Sequence, residues 1–191
     1  MAAWLQGAWG QSCVVDNKSG AGVIGSNEVV KAAPDGHIAL MGNIGPQSIA
    51  YSLYRNMPYG PQSLAPVSCV ITAPNVLVVH PSVPAKTVPE FVAWLTPELV
   101  PICETMPELR PFDVSTWFGV LLPAVTPKPI VAAFNEQMKS WLDDPKTRER
   151  FTQMAGFPAY GTSAEFDTFV TAQIAQWKGV IDKEGLQLDV N

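Results

Sequence analysis

Towards the end of the chain, apolar positions recur at helical spacing. Phe166, Phe169, Val170, Ile174, Trp177 and Ile181 share one helical face, because residues three and four apart lie on the same side of an α-helix. Thr162-Ser163-Ala164-Glu165 ahead of this run has the form of a capping box, and Gly185 behind it supplies a stop. A second stripe, Ile130, Val131, Phe134, Met138, Trp141 and Leu142, predicts another helix, with Thr126 as its N-cap and Pro127 at its first position. Asp144-Pro145 repeats that start for a third helix ending near Ala155-Gly156. The aromatic residues of these stripes are core residues.

Upstream the pattern shortens. Residues 12–16 and 37–42 read as buried strands on either side of a helix over 23–32. Residues 67–71 and 76–79, parted by Ala73-Pro74-Asn75, are two further extended segments, and residues 114–122 are another. Strands alternating with helices in this way predict an α/β fold.

A hydrophobic content of 47% against 15% charged residues describes a chain that folds around a core, and 191 residues suffice for one domain. No apolar run approaches membrane-spanning length, so no membrane insertion is expected. A net charge of −5 with only 12 scattered basic residues argues against nucleic acid as a partner, since neutralising phosphates takes a clustered basic surface. Cys13, Cys69 and Cys103 are an odd set without C-x-x-C spacing, which fits reduced thiols. Without a charged-then-apolar opening, the chain as it stands is expected in the cytoplasm.

Gly20, Gly22 and Gly25 form a G-x-G-x-x-G, the pattern that receives a pyrophosphate when a strand runs directly into it. Here Asp16, Asn17, Lys18 and Ser19 intervene, and Asp35 sits in a Pro-Asp-Gly turn rather than at a strand end. Nucleotide binding is therefore set aside. The glycines instead precede a helix N-terminus, where unsatisfied N–H groups and the helix dipole both favour a small anion. Gly20, Ala21, Gly22 and Ser26 form one wall of such a site, and Asn43, Gly45 and Ser48 another. No nucleophile elbow, zincin, P-loop or kinase signature is present.

The Asn17-Lys18-Ser19-Gly20-Ala21-Gly22 loop with Gly25, Ala33-Pro34-Asp35-Gly36, residues 41–45, Ala65-Pro66-Val67-Ser68, residues 75–79, Pro81-Ser82-Val83-Pro84-Ala85-Lys86-Thr87-Val88 and Asp113-Val114-Ser115-Thr116-Trp117-Phe118-Gly119 together resemble the Bug family. These are the periplasmic substrate-binding proteins of tripartite tricarboxylate transporters, which capture small carboxylates between two lobes. The resemblance implies that the two walls just named line the carboxylate cleft. It also implies a helix over 88–95 that should lead, near Leu95-Thr96, into a second lobe, and that this second lobe and a first strand are absent from this chain. The expected fold is a single lobe of a type II periplasmic-binding-protein-like, doubly wound α/β architecture rearranged by deletion, with residues 1–95 and 96–191 completing one domain.

Such a deletion should uncover Phe91, Val92, Trp94, Leu95, Leu99, Val100 and Ile102, and an apolar patch of that kind predicts a homodimer. Two function classes follow. One is a carboxylate-binding module, needing no cofactor, whose affinity is weak or lost because closure of two lobes is gone. The other is a metal-dependent hydrolase acting on phosphotriesters or carboxyesters, in which His80 and Asp16 are catalytic and His80, His37, Cys69 and Cys103 supply zinc or manganese ligands across a two-fold axis.

Overall fold

The structure, a computed structural model, describes residues 1–20, 22–75, 78–87, 90–91, 94 and 115–189. Two compact units emerge. The first joins residues 1–73 to 116–191, and the second spans 74–115.

In the first unit, α1 (Ala2–Trp9) and α2 (Val23–Val30) precede β1 (Leu40–Asn43), after which a π-helical turn (Gly45–Ile49) runs into α3 (Ala50–Leu53). A 3-10 turn (Pro61–Ser63) leads into β2 (Leu64–Pro74), and the chain returns through β3 (Ser115–Pro123), α4 (Lys128–Asp143), α5 (Pro145–Gln153), the two-residue β4 (Phe157–Pro158) and α6 (Ser163–Glu184). The four strands lie in the order β1-β3-β2-β4. β1 pairs with β3 antiparallel from Leu40↔Leu121 to Asn43↔Phe118, and β2 pairs with β4 antiparallel at Ile71↔Pro158 and Thr72↔Phe157.

The central strands are apolar on both faces because helices cover both. Successive strand side chains point to opposite sides, so Val120 and Leu122 of β3 enter one core with Leu5 of α1, Phe134, Met138 and Leu142 of α4, and Phe151 of α5. Trp117 and Leu121 enter the other, with Val29 of α2 and Phe166 and Val170 of α6. This is a sheet with helices on each face, the α/β class expected. The strand pairings fixed by register are antiparallel.

Local cap chemistry lies where the sequence places it. Thr162 accepts from the Glu165 amide at 3.2 Å while Glu165 Oε2 accepts from the Thr162 amide at 2.8 Å, and Gly185 closes α6 in a left-handed conformation. Asp144 caps α5 by accepting from the Thr147 amide at 2.9 Å. Thr126 departs from expectation: its hydroxyl donates to the Pro123 carbonyl at 2.7 Å, and Pro127 takes the N-cap position of α4. Donation leaves the hydroxyl oxygen able to accept, but Thr126 now precedes the N-cap by one residue, and α4 has no side-chain cap hydrogen bond.

Two predicted strands fail for the same reason. Residues 12–16 are not a strand, and Val14 and Val15 are 84% and 66% exposed. A strand persists only with a ladder partner, and none of the described strands pairs with them. Of residues 76–79, the first two lie outside the described residues, while Val78 and Val79 are exposed and unpaired in the sheet. The strand expected over 37–42 starts only at Leu40, because the Asp35 carboxylate accepts from the His37 amide at 3.0 Å and holds a turn there.

In the second unit, the Thr87 hydroxyl accepts from the Glu90 amide at 3.3 Å, and Glu90 Oε2 accepts from the Lys86 amide at 2.8 Å. Glu90, Phe91 and Trp94 are helical, as predicted, and the rings of Phe91 and Trp94 stack at 6.3 Å. Val92, Leu95, Leu99, Val100 and Ile102 lie outside the described residues. No helix among the described residues is long and apolar enough to cross a membrane.

Candidate anion site at the glycine loop

Two loops of the first unit interlock, and buried hydrogen bonds hold them. Gly22 is the N-cap of α2, with φ 79°. It lies so close to the second loop that a Cβ there would sit 2.7 Å from Pro46 Cγ. Ser26, one turn into α2, donates its hydroxyl back to the Gly22 carbonyl at 2.7 Å. The same hydroxyl accepts from Gln47 Nε2 at 2.7 Å, and Gln47 Oε1 accepts in turn from the Asn43 amide at 2.8 Å. Tyr59 closes the arrangement by donating to the Pro46 carbonyl at 3.2 Å, and burial raises its phenol pKa.

This geometry sorts the expected anion contacts. Gly22 and Ser26 come together with Pro46 and, through Gln47, with Asn43, whereas the Gly20 carbonyl accepts from the Val23 amide and the residue lies against Ile24. Ser26 is fully buried with its hydroxyl committed on both sides, so it braces the site rather than touching a ligand. Ser48 is also fully buried, and its hydroxyl has no hydrogen-bond partner among the described residues. The Gly45 amide is consumed by Asn43 Oδ1 at 2.9 Å. That bond fixes the Asn43 side-chain orientation: with Oδ1 as acceptor, its NH2 end remains the donor. The donors offered to an anion are therefore the Asn43 side-chain amide and, in the first turn of α2, the N–H groups of Ile24 and Gly25, which an α-helix leaves without intrahelical partners; the Val23 amide is given to the Gly20 carbonyl at 3.0 Å. Ala21 lies outside the described residues. Sequence reasoning missed Gln47 and Tyr59, whose only signal was a polar side chain and a phenol in otherwise small or apolar surroundings.

The residues expected for a metal hydrolase are otherwise engaged. Asp16 is exposed and pairs with Lys18 at 2.8 Å, whose pKa is raised by the hydrogen bonds it donates to Asp16 and Glu28. His37 is exposed, with Nδ1 3.1 Å from Asp35 Oδ1. His80 lies in the second unit, where its Nδ1 accepts from the Ser82 amide at 3.2 Å. An Nδ1 that accepts leaves the ring proton on Nε2, the opposite of the tautomer in which Nε2 would ligate a metal. Cys69 is buried, and desolvation pushes its thiol up to about 11, so the thiolate a metal requires is disfavoured. Cys103 lies outside the described residues, and among the described ones no group of three or more His, Cys, Asp or Glu side chains could hold a metal ion.

Comparison with known proteins gives a consistent relationship. Residues 1–99 match the family described as tripartite tricarboxylate transporter family receptor, TctC. A UPF0065 protein of Bordetella pertussis is 32% identical over 87 residues, covering 45% of this chain and 27% of that protein. This chain therefore matches only about a quarter of that relative's length. Protein BugT of the same organism is 23% identical over 274 aligned positions, which take in 98% of this chain and 84% of BugT. Among solved structures, Rpa4515 of R. palustris, determined with adipate, superposes with a TM-score of 0.83 at 21% identity over 98% of this chain and 91% of that one. At that identity the likeness shows the fold.

Proposed function

We propose, from the premise that the chain belongs to the tripartite tricarboxylate transporter receptor family, that it is a reduced solute-binding protein holding small carboxylates weakly at the α2 N-terminus. The observation that carries this reading is the lock between the glycine loop and the β1 turn. Gln47 joins Ser26 to Asn43, so the positive end of α2 and the Asn43 side-chain amide are fixed against each other. The adipate bound by the Rpa4515 neighbour indicates the ligand class, a short dicarboxylate.

Weakness follows from what faces the site. An alignment of 274 positions with BugT contains a chain of only 191 residues, which supports loss of an internal segment the size of a small domain. Closure of a full second lobe around the ligand, the usual source of high affinity, is then not available. The compartment we propose is the periplasm, where the resembled family works; the cytoplasmic expectation rested on the opening residues alone.

Titration of labelled protein with adipate, glutarate and citrate should shift the amides of residues 20–26 and 43–45, with dissociation constants weaker than about 0.1 mM, or roughly −5.5 kcal/mol. Shifts scattered over the surface would sink the assignment of the site. Submicromolar binding would sink the argument from a missing lobe.

We also propose that the chain is a homodimer, supported by the exposed Trp94 stacked on Phe91. Light scattering should give twice the 20.6 kDa chain mass. Trp94→Asp should lower that mass, and monomer mass for the parent protein at high concentration would rule the dimer out.

A further inference from the structure

We infer that Gln47 is the positioning residue that sets the geometry of the carboxylate site, although it touches no ligand itself. The inference rests on the carboxylate-site reading for its functional half and on the hydrogen-bond geometry for the rest.

Gln47 is 1% exposed. A primary amide buried this deeply has to be satisfied at both ends, and here its ends reach two different loops. Nε2 donates to Ser26 Oγ at 2.7 Å, and Oε1 accepts from the Asn43 amide at 2.8 Å. Ser26 passes the link to the Gly22 carbonyl at 2.7 Å, and Asn43 passes it to the Gly45 amide at 2.9 Å. One chain of hydrogen bonds thus runs from the N-cap of α2 through Gln47 to the turn after β1. Each member has a fixed polarity. Reversing the Gln47 amide would set an N–H against the Asn43 N–H, so the network has one low-energy arrangement.

The consequence concerns the ligand donors. Asn43 presents its NH2 end only while Oδ1 is held by the Gly45 amide, and the Asn43 backbone is itself held by Gln47. Gly22, which opens α2, is tied to Gln47 through Ser26. An anion bridging α2 and the Asn43 side chain therefore needs a spacing that Gln47 sets. Without Gln47 both donor sets survive, but their separation is no longer fixed before binding, and ordering them then opposes association.

The test compares wild type, Gln47→Met and Ser26→Ala. Methionine keeps length and fills the buried space, while Ser26→Ala removes the acceptor of Nε2 together with the hydroxyl's bond to the Gly22 carbonyl. In ligand-free protein, hydrogen exchange at the Asn43 amide should accelerate at least tenfold in Gln47→Met, the loss of one buried hydrogen bond worth about 1.4 kcal/mol. Adipate affinity should fall about tenfold in both variants. The double variant should fall no further than either single one, because each breaks the same link. A residue with a purely structural role would lower the melting temperature of the variants and leave adipate affinity unchanged, and that outcome overturns the inference. So does unchanged exchange at Asn43. If wild type binds no dicarboxylate, the functional reading fails, while the exchange measurement still decides whether Gln47 couples the loops. Should Gln47→Met fail to fold, Ser26→Ala alone carries both measurements.

Discussion

Gly119→Ala should destabilise the protein by about 3 kcal/mol, since overpacking a filled core costs roughly this much. In a chain of this length that corresponds to a drop of roughly 6–12 °C in melting temperature. Gly119 lies in β3 beneath α6, and a Cβ there would fall 2.2 Å from Phe166 Cζ and 2.9 Å from the Ser68 carbonyl. Phe166 cannot swing away without disturbing its neighbours: its ring meets Trp117 edge-on at 5.5 Å and stacks on Phe169 at 6.4 Å. The glycine is what lets α6 approach the sheet.

The cause can be isolated with Phe166→Leu, which alone should cost about 1.5 kcal/mol through lost volume and aromatic contact. Combined with Gly119→Ala, it should relieve part of the clash, so the double variant is more stable than the sum of the two by about 1 kcal/mol or more. Strict additivity by denaturant titration would show that the damage comes from the Ser68 backbone instead.

What could be read from the sequence divides by the range of the forces involved. α4, α5 and α6 were legible because their stripes, caps and stops are contacts within a few residues: the Thr162–Glu165 box and the Asp144 cap are written in four consecutive letters. The strand expected at residues 12–16 depended on a partner elsewhere in the chain. Its Val-Val content states a preference and not a pairing, and the two valines stand exposed. His37 illustrates a local competition, in which the Asp35 side chain captures its amide and delays β1 to Leu40.

The candidate site divides in the same way. Glycines before a helix announce a helix N-terminus, and the structure places Gly22 there. Gln47 carries no motif, because its importance lies in a bond to Ser26, 21 residues away. The metal-site expectation counted residue types without knowing their partners. The Ser82 amide on His80, the Lys18 ammonium on Asp16 and the desolvation of Cys69 each compete with metal binding, a competition that residue types alone do not announce.

The last prediction separates the glycines of the loop from one another. Gly22→Ala should destabilise by about 3 kcal/mol, combining a left-handed backbone strained by a side chain with an imposed close contact. The left-handed φ of 79° and the 2.7 Å approach to Pro46 Cγ are both present at this position, and a proline ring carbon cannot rotate aside. Because the contact lies between the two walls of the anion site, adipate-induced shifts at residues 20–26 and 43–45 should also disappear. Gly25→Ala should do the reverse. A Cβ there meets only Lys18, with its Cβ at 3.5 Å, an ordinary contact distance, and Gly25 lies inside α2. Removing a glycine from a helix should add about 0.5–1 kcal/mol of stability, with adipate shifts retained. In a dinucleotide fingerprint the third glycine is needed for close packing of helix on strand, so tolerance at Gly25 together with intolerance at Gly22 distinguishes an interlocked anion loop from a nucleotide loop. Equal damage at both positions, measured by thermal melts and titration, would reverse that assignment.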